Sequence, residues 1–356
     1  MRKYSDINPA DPEDRPTWVD GIDNPYLHGP YTPVVSEVTA VDLRVTQGSV
    51  PDDLYGAYMR QGPNPVFEPK GQYHWFDGDG MIHGLYLRDG RASYIRKWTQ
   101  TRALHDEIER GQVELSGIMG PYEVSRIAGH EDSATNSEYC KDTSNTTLNL
   151  HNGKLLSAWY NAGSVYDVDP LTLETRGEER FGGGVDTALN AHGKVDVRTG
   201  EYINYGYADF QPWLTYYVIA PDGTLRHKAR IDLPGPRLPH DTTITPRFTI
   251  LHDFPLFHDT AVLRRTGHRV VQFRRDLPSR FGVIPRYGTQ EQVKWFEFEP
   301  GYVLHMVNAW EDGDWITMDG CFQPDPTIRR NPEEGALGSM LAYLRYKGHL
   351  RRWRMN

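Results

Sequence analysis

Short runs of alternating apolar and polar residues, each broken by a turn, dominate the chain from Leu54 onward. Alternation with a period of two is typical of β-strands that bury one face. One unit recurs, in which a strand leads into a tight turn containing glycine and then into a second strand. Glycine suits these turns because it adopts the positive φ that they require. The pattern predicts hairpins over residues 85–94, 195–205, 217–225 and 343–350.

The same patterning predicts the fold class. Helical periodicity is scarce, and residues 101–110 are the best helix candidate. Repeated hairpins over such a length favour an all-β fold, and a propeller over a sandwich, with two stacked β-domains as the alternative. A polar, proline-rich start predicts an arm over residues 1–50, followed by a propeller domain over residues 51–356. Further strands are predicted at residues 154–160, 248–254, 269–273, 302–310 and 315–322.

The composition limits the possible binding partners of the protein and its cellular compartment. The chain is 38% hydrophobic and 12% aromatic, which predicts a large apolar core. A net charge of −9, without a long Lys/Arg run, argues against nucleic acid as a partner. The only cysteines, Cys140 and Cys321, cannot build a disulfide framework, and the first residues lack an apolar leader. We therefore predict a reduced, cytoplasmic protein without a membrane span, for which peripheral contact with a membrane stays open.

Three of the 14 histidines stand among small or apolar residues near predicted strand ends. These are His192, His240 and His305, and their separations are close to one propeller blade of about 40 to 50 residues plus a loop. One histidine per blade would bring the three imidazoles together on the propeller axis. Neutral imidazoles bind first-row divalent metals, and they hold Fe(II) without adding negative charge. Spacing alone leaves open whether the three bind a metal.

Other motifs give weaker signals. The run Asp77-Gly78-Asp79-Gly80 lacks the spaced ligands and the distal glutamate of an EF-hand, so we interpret it as a structural turn. The sequence has no nucleophile elbow, Walker loop, dinucleotide fingerprint or HExxH motif. A propeller glycosidase would need paired carboxylates, for which Asp241 and Glu311 are the candidates.

Two segments near the start of the predicted propeller resemble the N-terminal signature of the carotenoid cleavage oxygenase family. They are residues 56–65, Gly-Ala-Tyr-Met-Arg-Gln-Gly-Pro-Asn-Pro, and residues 74–84, His-Trp-Phe-Asp-Gly-Asp-Gly-Met-Ile-His-Gly. The resemblance continues through Asn145-Thr146, residues 166–175, the three histidine contexts, residues 308–311 and residues 351–353. It therefore covers nearly the whole chain after the arm.

The resemblance implies a seven-bladed β-propeller with a dome of helices and loops over a tunnel. It also implies a non-haem Fe(II) held at the axis by four histidines, of which His192, His240 and His305 match the first three. Thr146 resembles the family's threonine that narrows access to the open coordination position. The implied activity is oxidative cleavage of a C=C bond of a carotenoid or apocarotenoid with O₂, giving two carbonyl products.

Two departures from the family pattern qualify this expectation. Family chains continue beyond the position of Asn356, so we expect about five blades here and no fourth histidine. A catalytically silent fragment or an apocarotenoid-binding protein is therefore an alternative. Tyr160 stands where the family commonly has a glutamate that hydrogen-bonds a ligand histidine. Its hydroxyl can accept the same N–H bond, but it lacks the charge that raises metal affinity.

The substrate class is narrowed by two aromatic positions. Stilbene-cleaving members of the family resemble one another in a lysine and a tyrosine that bind a phenolate. Trp159 and Trp98 stand at those places here. An uncharged aromatic lining favours a polyene over a phenolate, so we expect a carotenoid or apocarotenoid, with a stilbene as the alternative.

Overall fold

The computed structural model describes residues 14–130, 135–160, 163–327, 329, 331–343 and 345–356. The first 13 residues of the predicted arm therefore lie outside the described residues. The strands of the described part are β1 (Val38–Ala40), β2 (Gly56–Pro63), β3 (Gly80–Arg88), β4 (Arg91–Trp98), β5 (Thr147–His151), β6 (Lys154–Ala158), β7 (Val165–Val168), β8 (Thr175–Glu179), β9 (Lys194–Val195), β10 (Tyr202–Gly206), β11 (Thr215–Ile219), β12 (Leu225–Arg230), β13 (Thr243–Ile244), β14 (Phe248–Asp253), β15 (Leu256–His258), β16 (Val271–Phe273), β17 (Ser279–Pro285), β18 (Lys294–Phe298), β19 (Tyr302–Asp312), β20 (Trp315–Gln323) and β21 (His349–Met355).

These strands form five antiparallel sheets and one separate pair within the described residues. The first sheet has the order β1-β4-β3-β2, and the second has the order β5-β6-β7-β8. The third is β12-β11-β10-β9, the fourth is β13-β14-β17-β18, and the fifth is β19-β20-β21. The remaining pair, β15 and β16, is antiparallel and is inserted between β14 and β17. Each sheet is thus built mainly from strands that are neighbours along the chain.

Successive sheets pack against each other through buried apolar faces. Leu156 of the second sheet shares a cluster with Tyr217 of the third, and Leu251 of the fourth packs against the third. Phe281 and Met318 join the fourth sheet to the fifth. Each such leucine, phenylalanine or methionine side chain contributes about 1.5–3 kcal/mol when fully buried. Successive face-to-face packing of antiparallel sheets is the architecture of a β-propeller, which confirms the predicted all-β class. The number of blades stays a prediction.

The predicted hairpins form at three of four places. Residues 85–94, 195–205 and 217–225 fall on β3–β4, β9–β10 and β11–β12, all paired as expected. The hairpin predicted at residues 343–350 is wrong. There a short helix ends at Tyr343, and β21 begins only at His349 and pairs with β20. The sequence of this segment contains a turn signal, but β21 forms by pairing with β20, which ends more than twenty residues earlier.

Four short α-helices lie in the connections of the described part of the chain. They are α1 (Arg102–Arg110), α2 (Val124–Gly129), α3 (Thr260–Thr266) and α4 (Gly338–Tyr343). The first confirms the predicted helix: the Thr101 hydroxyl accepts the Leu104 N–H at 3.1 Å, and Gly111 ends the helix with a φ of 72°. Ile127 of α2 and Leu263 of α3 pack in one buried cluster of connecting segments. None of the helices in the described part is both long and apolar enough to cross a membrane.

The described part of the N-terminal arm lies on the first sheet. Its strand β1 pairs with β4, and Leu27 and Val19 are buried against Tyr73. The side-chain amide of Asn24 donates to the carbonyl of Tyr73 at 3.1 Å. The arm is therefore held by both strand pairing and an apolar cluster, while the division at residue 50 stays a prediction.

The acidic run at residues 77–80 has the structural role that its spacing predicted. Asp77 Oδ1 accepts the N–H of Ile118 at 2.7 Å. Asp79 Oδ1 lies 2.8 Å from Lys141 Nζ, which also pairs with Glu107 at 2.7 Å. All of these side chains are buried, so the run connects β3 to α1 through an internal ion cluster.

Candidate metal centre

The structure brings His192, His240 and His305 together. The Nε2 atom of His240 lies 3.1 Å from His192 Nε2 and 3.2 Å from His305 Nε2. One ring nitrogen from each of the three lies within 4.8 Å of the others. Residues far apart in the chain thus present three imidazole nitrogens to a common point.

Each histidine comes from the first strand, or just before the first strand, of a different sheet. His192 precedes β9 of the third sheet, His240 precedes β13 of the fourth, and His305 lies within β19 of the fifth. All three strands are at the edge of their sheets. The register of β19 against β20 shifts between Val303 and Met306, so His305 sits at a bulge. A bulge reorients the local side chain, which directs this histidine toward the other two.

The spacing of the three nitrogens fits a bound metal ion. Two nitrogens that bind one first-row ion at right angles, each about 2.1 Å from it, lie about 3.0 Å apart. Hydrogen bonding explains the arrangement less well, because a single ring nitrogen is either a donor or an acceptor. His240 Nε2 would have to serve two partners with one proton or one lone pair. A set of three imidazoles is suited to iron, cobalt, copper, nickel or zinc.

The electrostatics of the site favour neutral imidazoles. Burial lowers the pKa of His192 to about 4, with Asp241 acting in the opposite direction. Burial is also the largest cause of the lowered pKa of His240, to which the neighbouring His192 and His305 add. The pKa of His305 is lowered for the same main reason. At neutral pH the ring nitrogens therefore keep the lone pairs that a metal requires.

The other two predicted site residues lie next to strands of the second sheet, Thr146 just before β5 and Tyr160 just after β6. Thr146 precedes β5, and its N–H and hydroxyl both donate to the carbonyl of Ala158, at 3.2 and 3.3 Å. The Tyr160 ring centroid is 5.5 Å from that of His240, which places this tyrosine beside a member of the cluster. The carbonyl of Tyr160 accepts a hydrogen bond from the hydroxyl of Tyr207.

The two tryptophans expected to line a substrate tunnel both donate hydrogen bonds to main-chain carbonyls of the protein. Trp159 is fully buried in the cluster of connecting segments, and its indole N–H donates to the carbonyl of Phe76 at 3.0 Å. The indole N–H of Trp98 donates to the carbonyl of Asn64 at 2.9 Å. Trp159 is therefore part of the core, and the expectation that it lines the tunnel is corrected.

The paired-carboxylate alternative finds no support in the geometry of its two candidates. The oxygens of Asp241 accept hydrogen bonds from Lys194 Nζ and from backbone N–H groups. Glu311 accepts the backbone N–H of Arg247 at 2.8 Å and pairs with its guanidinium. Both carboxylates are thus held by hydrogen bonds and ion pairs with other groups of the protein.

Sequence reasoning missed two buried polar residues that contact the histidine segments. The local pattern does not single out Asn190, and it suggests Asp241 only as a glycosidase carboxylate. Both are buried polar residues that stand within two positions of a candidate ligand. Their closeness in sequence to the candidate ligands is the signal that could have identified both residues.

The chain is similar to known oxygenases over most of its length. A family described as retinal pigment epithelial membrane protein matches residues 31–356. A carotenoid 9,10(9',10')-cleavage dioxygenase of Crocus sativus is 35% identical over an alignment of 314 positions, and the match covers 85% of this chain and 57% of that protein. The chain thus spans little more than half the length of that relative.

Two solved structures share the fold. The lignostilbene dioxygenase of Pseudomonas brassicacearum superposes with a TM-score of 0.78 at 27% identity, over 94% of this chain and 68% of that one. A cobalt-substituted apocarotenoid oxygenase of Synechocystis superposes with a TM-score of 0.73 at 25% identity, over 91% and 68% of the two chains.

Proposed function

The chain belongs to the retinal pigment epithelial membrane protein family, that of the carotenoid cleavage oxygenases, and on that premise we propose that it is an iron-dependent dioxygenase. Its substrate is a carotenoid or apocarotenoid, of which it cleaves one C=C bond with O₂. The observation that carries the proposal is the convergence of His192, His240 and His305 through their Nε2 atoms.

The reaction balances without a further reactant. Both bonds of the C=C unit break, each carbon gains one oxygen atom of a single O₂, and two carbonyl products form. The alkene supplies the electrons, so no reducing co-substrate is needed. Fe(II) held by the three histidines would supply the redox chemistry that lets O₂ react with the alkene.

The protein's own residues have three tasks in this proposal. The neutral imidazoles hold the metal without adding negative charge. Burial lowers the pKa of His192 and His240, which keeps their ring nitrogens unprotonated and able to bind a metal at neutral pH. Tyr160, beside the ring of His240, orients that imidazole. Thr146 limits access to the metal, a role that rests on its match to the family motif.

The substrate class rests on the relatives. The Crocus and Synechocystis proteins are named for carotenoids and apocarotenoids, whereas the Pseudomonas protein is named for a lignostilbene. We propose a polyene because the relative at 35% identity is a carotenoid cleavage dioxygenase. Cytoplasmic location and peripheral contact with a membrane belong to the same proposal.

Metal content and product formation test the proposal together. The 356-residue chain, purified anaerobically and loaded with Fe(II), is expected to bind close to one iron per chain. It should convert an apocarotenal to two carbonyl products, and ¹⁸O₂ should label both of them. His192→Ala, His240→Ala and His305→Ala should each lose metal and activity.

A matched control separates the metal site from a general effect of losing an imidazole. The Nε2 atom of His227 lies 2.8 Å from the carbonyl of Gly288, so this imidazole also has a partner within the protein. His227 lies outside the cluster of three histidines. His227→Ala should keep both iron and activity. Iron binding without cleavage would favour the catalytically silent binding protein, and cleavage of a hydroxystilbene alone would reverse the substrate assignment.

A further inference from the structure

The backbone of the His192 segment is tied to that of the His240 segment by one buried side chain. Asn190 has no exposed surface, and its Oδ1 accepts the N–H of His192 at 2.5 Å. Its Nδ2 donates to the carbonyl of His240 at 3.0 Å and approaches the carbonyl of Pro239 at 3.3 Å. A single amide thus bridges two candidate ligands through their main chains.

A second buried side chain extends the connection to the third histidine. Asp241 directly follows His240 and is 3% exposed. Its Oδ2 accepts the N–H of Met306, the residue after His305, at 2.8 Å. Its Oδ1 accepts from Lys194 Nζ, two residues after His192, at 2.7 Å.

Tyr205 joins the side chain of Asn190 to the main chain of Asp241. Its hydroxyl accepts from Asn190 Nδ2 at 2.9 Å and donates to the main-chain carbonyl of Asp241 at 3.2 Å. The Asn190–Tyr205–Asp241 network therefore touches the third, fourth and fifth sheets, each of which supplies one histidine.

Regular strand pairing does not hold the three histidine segments in position. His192 and His240 precede strands that are only two residues long, so no ladder of hydrogen bonds fixes them. His305 sits at a bulge, where the ladder is interrupted. A metal site requires its ligands to be held within about 0.5 Å of the productive geometry. Something other than the sheets must set the spacing between the three segments.

We propose that Asn190, Tyr205 and Asp241 are positioning residues that hold the three histidine segments in metal-binding register. This inference rests on the proposed function, since it assumes that the cluster binds a metal. A merely structural network makes a different prediction: its disruption lowers the stability of the fold and leaves the metal affinity of the folded protein unchanged.

Two buried tyrosines of the third sheet provide a matched test. Tyr205→Phe removes a hydroxyl from the network. Tyr216→Phe removes an equally buried hydroxyl that bonds the carbonyl of Arg286 and the side chain of Thr249, both at 2.9 Å. Each change deletes one oxygen without altering charge. Co²⁺ alone is the probe, with affinity from titration and coordination geometry from its visible absorption spectrum.

Tyr205→Phe should weaken Co²⁺ binding and change the Co²⁺ spectrum, whereas Tyr216→Phe should leave both unchanged at a similar loss of stability in urea. Asn190→Leu, which is close in shape and also uncharged, should weaken binding by about 10- to 100-fold. Asp241→Asn should do the same, but it also removes a negative charge, so its spectrum rather than its affinity is the informative readout.

The outcomes distinguish the two claims. Equal affinity and an unchanged spectrum in Tyr205→Phe and Asn190→Leu would overturn the positioning role while leaving the metal site intact. If Asn190→Leu fails to fold, the Tyr205→Phe and Tyr216→Phe pair still decides the matter. Wild-type protein that binds no Co²⁺ would contradict the proposed function itself.

Discussion

His252 is a buried histidine that the metal site does not use. It lies on β14, with its ring 4.8 Å from that of Phe254 and 5.5 Å from that of Phe281. Within the described residues neither of its ring nitrogens has a hydrogen-bond partner. A buried polar group without a partner costs about 1–3 kcal/mol. We therefore expect His252→Leu to raise the free energy of unfolding at pH 7 by about 1 kcal/mol, measured by urea denaturation of the metal-free protein.

The pH dependence of that difference identifies its cause. Burial lowers the pKa of His252 to about 4 from its ordinary value of 6.5. Between these values the unfolded chain binds the proton and the folded chain does not, so this residue's contribution to stability falls as the pH falls. The advantage of His252→Leu should widen from pH 6.5 to pH 4. A constant difference, or a variant less stable than wild type at every pH, would show that His252 is satisfied in the folded state.

The candidate ligands could be selected from the sequence, but their supporting residues could not. His192, His240 and His305 each carry a local signal, namely an imidazole among small or apolar neighbours. The bonds that join them connect residues about fifty or more positions apart, such as Asn190 to His240 and Asp241 to Met306. Local patterns carry no information on such contacts. For His252 a signal existed, because alternation along residues 248–254 places it on the same face as Ile250.

At the scale of single elements, local turn chemistry predicted strands well when a tight turn joins the two paired strands. It failed at residues 343–350, where β21 pairs with β20 across an intervening helix. It also gave no sign of the bulge at His305, since a bulge depends on the register between two strands. The position of this ligand is therefore a property of the sheet rather than of its own segment.

Gly80 begins β3 at a point where two backbones come close together. A Cβ added there would lie 2.2 Å from the carbonyl oxygen of Ser144 and 2.8 Å from that of Thr143. Neither contact can be relieved by rotating a side chain, and the Gly80 N–H already donates to Thr143. Gly80→Ala should lower the free energy of unfolding by about 1–3 kcal/mol, the usual cost of overpacking.

Gly62 is the matched control for this prediction. It lies on the adjacent strand β2 of the same sheet, opposite Met81, and a Cβ there would have no neighbour within 4 Å. Gly62→Ala should be close to neutral in the same urea denaturation experiment, because it restricts the unfolded chain without straining the folded one. Equal losses in both alanine variants would mean that backbone entropy, rather than the approach to Ser144, governs the site.

For the molecule as a whole, the decisive feature is that three sheets each contribute one histidine. The fold class followed from hairpin repetition and from the family resemblance, because both can be recognised in the amino-acid sequence alone. The face-to-face order of the sheets did not, since apolar contacts such as that of Phe281 with Met318 join residues from separate hairpins. The positions of the sheets relative to one another are therefore set by the contacts among the three histidine segments as well as by apolar packing between the sheets.

A metal bound by all three histidines should therefore stabilise the whole fold and not just the site. An ion that binds the folded state alone adds about 2.7 kcal/mol at a free concentration one hundred times its Kd. We expect Co²⁺ to raise the urea midpoint of the wild-type chain, and a chelator to reverse this. His240→Ala should lose the effect because His240 lies between the other two ligands, whereas His227→Ala should retain it. Equal stabilisation of wild type and His240→Ala would place the Co²⁺ elsewhere on the protein.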